Sequence, residues 1–490
     1  MPIDPRSPVL VGLHQLEQRV DDPSQGAEPL EMMISCVEAA ARDAGSKALL
    51  EAADVVCVIR GRWFYDNPAA VVAERIGASR AQTAGTPFGG NTVQAALNRF
   101  AREIHAGERD VAVLTGAEIG RSLSRARKQD IRLPFSDAPG SPDLQVGTEL
   151  DMVHEAEIAR KLVQPIAMYP IFENAIRYAR GETLEAHRAR VAKLWAGFNA
   201  VAVENPHAWI REPMSAERIA TPTSDNRMLG FPYTLLMNSN DKVDMGAALI
   251  LCSAEAAQRH GVPRDQWIFL QAGTDAHDTP FVSNRDNLHS SPAIRIAGAR
   301  ALELADVAVG DLDRVALYSC FPSAVQVAAA ELGLPEDRPL TVTGGLTFGG
   351  GPLNNYVMHG IARMAELLRE SPGQRGLCTA NGGFLTKHSF GVYSSEPPAE
   401  GFRHESCQAA VDATPSREAI VDHEGSATLE SYTVMFGADG PERAYAAFLT
   451  EDGRRTWANS EDPELAAEMT RSEFCGRSAR IDGAGLFEVV

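Results

Sequence analysis

The sequence predicts an α/β protein built from an internally duplicated, layered unit, interrupted by a long insertion and followed by a smaller β-rich domain. Three observations predict it. "TPFGGNTVQAALNRF", beginning at Thr86, and "LTFGGGPLNNYVMHG", beginning at Leu346, are imperfect copies of one pattern: a Phe, a glycine cluster, then a helix-like run. The segments on either side of each copy come in the same order, which marks a repeated βαβα unit and not a chance pair of turns. After Pro397 the chain changes to apolar–polar alternation broken by short turns.

Each element of the repeat has a local reason. "AADVVCVIRG" (Ala52 to Gly61) and "LDRVALYSCF" (Leu312 to Phe321) each pass from an acidic residue into an apolar, strand-like run. "AERIGAS" and "AAELGLP" read as helices that end at glycine. The glycine turns at Phe88 and Phe348 come next. After Asn91, in the N-cap position, Val93, Ala96, Leu97, Phe100, Ala101 and Ile104 repeat at helical spacing, and Gly107 closes the run. In the second copy Pro352 takes the first helical position. Tyr356, Val357, Ile361, Met364, Ala365 and Leu368 form the apolar face, and "SPG" at Ser371 stops it. Both helices are apolar enough to lie between layers. "DVAVLTGAE" and "GLCTANGG" supply the strand that completes each unit.

The insertion, 119–232, opens with Arg121, Arg125, Arg127, Lys128 and Arg132, a basic run in an acidic protein, and continues with helical patterns in "LDMVHEAEIARKLV" and "TLEAHRARVAKLWAGFNAVA". The boundaries that follow are 1–118 with 233–260 for the first half, 261–397 for the second, and 403–490 for the tail. In the tail "TLESYTVMF", "ERAYAAFLT" and "RRTWANS" are separated by "ADG" and "EDG", which suits an OB-like barrel.

Composition excludes several classes. The chain has 490 residues, room for more than one core, and a net charge of −19 that repels a phosphate backbone, so nucleic acid is not the expected partner. No run reaches the roughly 18–20 apolar residues of a membrane span, and the first residues lack a secretion signal. The seven cysteines are scattered and never form C-x-x-C, which argues against disulfides and a metal site and for a reducing, cytoplasmic setting.

Five segments, in order, resemble the thiolases. "TVQAALNRFAREIHAGERDVAVLTGAE" is similar to the family's nucleophile helix and its strand, and "PYTLLMNSNDKVDMGAALILCS" to the stretch ending D-G-A-A-A. "SCFPSAVQVAAAELGL" resembles the H-D-C-F segment of the sterol-carrier-protein type, "TGGLTFGGGPLNN" the G-H-P loop, and "TANGGFLTKHSFGVYS" the C-x-G-G-G segment. The resemblance spans about residues 5 to 395. The added tail is similar to the type 1 thiolase-like proteins, a group that carries the name acetyl-CoA acetyltransferase. The resemblance implies the thiolase fold, coenzyme A or an acyl-CoA as ligand in lipid metabolism, no bound cofactor or metal, and dimerisation through the first half, with the tail leaving a monomer open.

Thiolase chemistry takes a Cys at a helix N-terminus as acyl acceptor, a His that activates it, a second Cys that moves protons at the α-carbon, and a side chain that holds the oxyanion. Matched residue by residue, those positions fall at Gly90, Gly351, Ala380 and Tyr318. The nucleophile is absent, since no Cys lies between Cys57 and Cys252. Candidates for a shifted set are Cys320, Cys378 and His388, although a packed side chain is the commoner explanation for Cys320 and His388. The basic run Arg121–Arg132 is a candidate for the phosphates of coenzyme A, or a solvated face. Three readings stand: a thioester-binding protein without ordinary thiolase turnover, an active acyltransferase using the shifted set, and a scaffold that docks a protein partner through 403–490.

Overall fold

The computed structural model describes residues 3–490. Its main sheet has eleven strands, and the duplication is visible in how they pair. In the first half Pro8–Glu17 lies antiparallel to Asp244–Ser253, which lies antiparallel to Val111–Ile119, which runs parallel to Val55–Val58. In the second half Ile268–His277, Lys387–Ser394, Arg375–Gly382 and Arg314–Ala316 repeat that sequence of pairings. The halves join where Val9 and Leu10 meet Phe269 and Ile268.

The expected helices Thr92–His105 and Tyr356–Glu370 sit between the halves, and each touches strands of both. Their apolar residues are buried on every side, as a helix in a middle layer requires. Outside the first half pack Pro29–Asp43 and Pro68–Arg75. Outside the second pack Pro292–Leu304 and Pro322–Leu332. The order is therefore helix, sheet, helix, sheet, helix. Gly77, Gly107 and Gly333 end their helices with φ of 79°, 78° and 68°, where a side chain would be strained.

Several local expectations are corrected. Asn91 sits in helical conformation and its side chain caps nothing. Pro352 precedes a short 3₁₀ turn, Leu353–Asn355, and the α-helix starts only at Tyr356. Of the pattern from Leu150 to Val163 only Glu155–Ala159 is helical, with His154 capping it. The insertion's longer helices are Pro165–Ala179, which carries Pro170 inside it, and the expected Leu184–Glu204. Among the described residues no helix is long and apolar enough to cross a membrane.

The tail is woven into the body. Arg403–Ser406 runs parallel to Ile268–His277 in the main sheet. Five later strands then form the barrel: Gly425–Phe436, Pro441–Leu449, Arg455–Ser460, Ser478–Ile481 and Phe487–Val489. Numbered in chain order they pair as 3-2-1-4-5, and a parallel bridge from Asn459 to Leu486 brings the third to the fifth. That ring, with helix Pro463–Met469 between the third and fourth strands, is the partly open OB arrangement. On the second and third strands, Ala444, Ala446, Phe448 and Ala458 fill the barrel, while Tyr445, Ala447 and Trp457 point the other way into the body's core. The face that such barrels commonly offer to ligands is thus spent on the rest of the chain. Arg455, fully buried, fastens it: the guanidinium donates to both oxygens of Glu430 (2.6 and 2.7 Å) and to the Ser283 and Arg285 carbonyls. The insertion contributes too, through Gly230, which pairs with Met435.

Candidate functional site

The first glycine turn leads into helix Thr92–His105, and the Thr92 hydroxyl donates to the Gly89 carbonyl at 2.7 Å. Gly90 stands at the mouth of that helix, and the space a side chain would need is taken. A Cβ there would lie 2.4 Å from the Tyr318 hydroxyl oxygen and 2.4 Å from the Asn381 carbonyl. Tyr318 is held edge-on against Tyr356, with ring centroids 5.5 Å apart. Behind it Thr379, Ala380, Asn381, His388 and Phe390 enclose a cavity of about 10 Å³, room for little more than one water. Three of the four family positions, Gly90, Tyr318 and Ala380, are therefore brought together. At Gly351 the backbone of Asn240 closes in: the Gly351 amide donates to the Asn240 carbonyl at 2.9 Å, and a Cβ would lie 3.1 Å from that oxygen.

The shifted set is not assembled. Burial pushes the Cys320 thiol up to about 12, against the Tyr169 hydroxyl and the Asn381 side-chain amide, the latter 3.8 Å from its sulfur. Burial raises the Cys378 thiol further. His388 donates through Nε2 to the Leu385 carbonyl at 3.2 Å and stands 3.6 Å from Asp278. Asp278 in turn is buried, held at about 2 against its own desolvation by Arg285 and His388, and bonded to Arg285 at 2.9 Å. Among the described residues no hydrogen bond joins Cys320, Cys378 and His388.

A residue passed over in the sequence lies at the turn instead. Lys387 begins strand Lys387–Ser394, and its Nζ donates to the Phe88 carbonyl at 2.9 Å. It fits because Gly89 and Gly382 carry no side chain: a Cβ at Gly89 would meet Nζ at 2.9 Å, and one at Gly382 would meet Cε at 3.2 Å. Burial lowers the Lys387 amine below the ordinary lysine range, against the opposing pull of Glu149. The Asn91 and Asn381 side-chain oxygens nearby are buried without a hydrogen-bond partner. The available signal was that Lys387 carries the one formal charge in the glycine-rich run from Gly376 to Ser395; in the structure Lys47, Lys128, Lys161, Lys193 and Lys242 are exposed.

In front of the turn, outside the carboxyl ends of strands Val55–Val58 and Gln82–Gly85, opens a cleft of about 680 Å³. Arg60, Arg62, Phe64, Phe88 and Glu149 line it, and Phe64 is 95% exposed. The basic run begins on helix Gly120–Lys128, which Ser122 ties down by donating its amide (2.9 Å) and hydroxyl (2.6 Å) to Asp244. Arg121 donates to the Val20 carbonyl and, with Arg125, faces Asp21 at 3.9 and 3.8 Å. Arg127, Lys128 and Arg132 are exposed.

Residues 406–485 match the family model described as the additional C-terminal domain of thiolase-like protein type 1. The crystal structure of a monomeric SCP2-thiolase-like protein type 1 from Mycobacterium smegmatis is similar over 100% of both chains, with a TM-score of 0.84 and 31% sequence identity. An acetyl-CoA acetyltransferase of Methanocaldococcus jannaschii is 31% identical over 98 residues, 20% of this chain and 25% of its own. A β-ketoadipyl-CoA thiolase of Pseudomonas putida is 33% identical over 144 residues, 29% of this chain and 34% of its own. The chain thus matches a quarter to a third of the length of these curated relatives.

Proposed function

The chain belongs to the SCP2-thiolase-like type 1 proteins, and from that membership we propose that it binds a coenzyme A thioester, in lipid metabolism, without forming an acyl-enzyme on cysteine. The observation that carries the reading is the filled turn at Gly90: Tyr318 and the Asn381 carbonyl stand where a nucleophilic side chain would project. No thiol substitutes. With burial holding its thiol at about 12, Cys320 would present roughly one thiolate in 10⁵ at neutral pH. The names of the acetyl-CoA acetyltransferase and β-ketoadipyl-CoA thiolase support a CoA thioester as the ligand. Arg127, Lys128 and Arg132 are the cations free to meet its phosphates, whereas Arg121 and Arg125 already face Val20 and Asp21. The seven unpaired cysteines suit the cytoplasm. The M. smegmatis relative is described as monomeric, and a single chain is the expected state here. Strand Leu144–Gln145 supports it by covering the sheet edge at Gln82–Gly85.

The test pairs two measurements on one preparation: calorimetric titration with CoA, acetyl-CoA and acetoacetyl-CoA, and thiolysis of acetoacetyl-CoA. Binding heat without thiolysis is expected, weakened in Arg127→Ala/Lys128→Ala/Arg132→Ala. Turnover at an ordinary thiolase rate would sink the reading and restore an acyltransferase. Absence of heat with every CoA ligand would leave the scaffold reading in its place.

A further inference from the structure

We propose that Lys387 is an amine nucleophile, and that it captures a ketone entering the cleft before the first glycine turn as a protonated Schiff base. Four observations converge on it. Lys387 is the one buried lysine among the described residues, and its Nζ ends at the Gly89–Gly90 turn, against the Phe88 carbonyl. Phe88 also lines the 680 Å³ cleft, within the range of about 300–1,000 Å³ that small-molecule sites occupy. Gly89 and Gly382 make room for the amine by carrying no Cβ, and the Asn91 and Asn381 oxygens beside the turn lack partners. The amine also abuts the positive end of helix Thr92–His105, which disfavours an ammonium there. Such surroundings are those in which lysines act as nucleophiles toward carbonyl groups.

The step balances without an oxidant or a metal. The nitrogen lone pair forms a C–N bond to the carbonyl carbon, and the C=O π pair moves to oxygen. Two protons reach that oxygen, and it departs as water, leaving a protonated imine. A ketone is favoured over a thioester carbonyl because a thioester would pass its acyl group to nitrogen as an amide, expelling CoA and ending the cycle. An imine is reversible, and its positive nitrogen draws electrons from the adjacent carbons.

The test uses the full chain with pentan-2-one, which carries no CoA, followed by sodium borohydride and peptide mass spectrometry. Lys387 should gain one ketone, less water and plus two hydrogens, at least tenfold more than Lys47, Lys128, Lys161, Lys193 or Lys242. The adduct should vanish in Lys387→Met and in Lys387→Arg, the second of which keeps a donor for the Phe88 carbonyl, with the fold of each variant checked by its melting temperature. Even labelling of the exposed lysines would overturn the proposal. So would amide formation at Lys387 with acetoacetyl-CoA and release of CoA before any borohydride. Loss of ketone capture with CoA heat intact would sink this inference alone.

Discussion

Gly90→Ala puts the filled turn to a direct test. The single added carbon would sit 2.4 Å from the Tyr318 hydroxyl and 2.4 Å from the Asn381 carbonyl, with the Tyr318 ring carbon at 2.8 Å. Van der Waals contact for such pairs begins beyond about 3.3 Å, so each must open by most of an ångström. The Asn381 carbonyl cannot yield cheaply, because it belongs to strand Arg375–Gly382, where Asn381 is paired with His388. Overpacking of this kind costs about 1–3 kcal/mol. Gly90 is not in the left-handed region, so alanine's stiffer unfolded chain returns about 0.4–1 kcal/mol. A net loss of about 1–2 kcal/mol is expected, which lowers the melting temperature by a few degrees. In a Tyr318→Leu background the same substitution should cost at least about 1 kcal/mol less, and that coupling belongs to the contact alone. Thermal unfolding of the four proteins in the cycle measures it. A neutral Gly90→Ala, or equal costs in both backgrounds, would refute the claim that tyrosine occupies the nucleophile's place.

Two further outcomes follow from buried charges elsewhere. Arg455→Met leaves Glu430 without its partner and strips the Ser283 and Arg285 carbonyls, so a loss of about 3–5 kcal/mol is expected, read as a lower melting temperature and faster proteolysis between barrel and body. His359 is fully desolvated and lowered from 6.5 to about 3, so the unfolded chain binds its proton before the folded one does. Stability should therefore fall as pH drops from about 6.5 toward 3, by up to on the order of 4 kcal/mol, and His359→Gln should flatten that part of the unfolding curve.

The duplicated body was legible because both of its signals are local: apolar periodicity names the helices and strands, and glycine ends them. What escaped depends on distant partners. Helix Pro165–Ala179 hides its identity behind Pro170, which ordinarily breaks a helix. The segment before it has the right spacing, yet only five residues turn, and Met152 lies instead against Gly383, where a Cβ would meet its methyl at 1.9 Å. The tail read as a separate barrel because alternation along a strand shows that two faces differ without saying what either one meets. Tyr445, Ala447 and Trp457 could as well have faced a partner as this chain's own core. Lys387 escaped for the same reason, since its environment is made by Phe88 and Gly89, nearly three hundred residues away.

Why two glycine turns persist where no nucleophile stands follows from what their helices hold. Beyond the second turn, Asn354 donates to the Arg60 carbonyl at 2.7 Å and Asn355 to the Gly116 carbonyl at 2.8 Å, fastening the second copy to strands of the first. From the first copy, Asn98 donates to the Phe390 carbonyl at 3.2 Å and Gln94 accepts from Tyr393 at 2.8 Å, fastening it to the second. Each helix is thus a cross-tie, and its start must be set within a fraction of an ångström for those amides to reach. Gly116, Gly273 and Gly391 admit Asn355, Asn98 and Gln94 so closely that a Cβ would come within 2.5, 2.3 and 2.4 Å of them. A turn that fixes the helix origin is therefore needed whether or not chemistry occurs at it. In this chain the same turn also receives Tyr318 on one side and Lys387 on the other, so any chemistry at the turn falls to the groups that press on it.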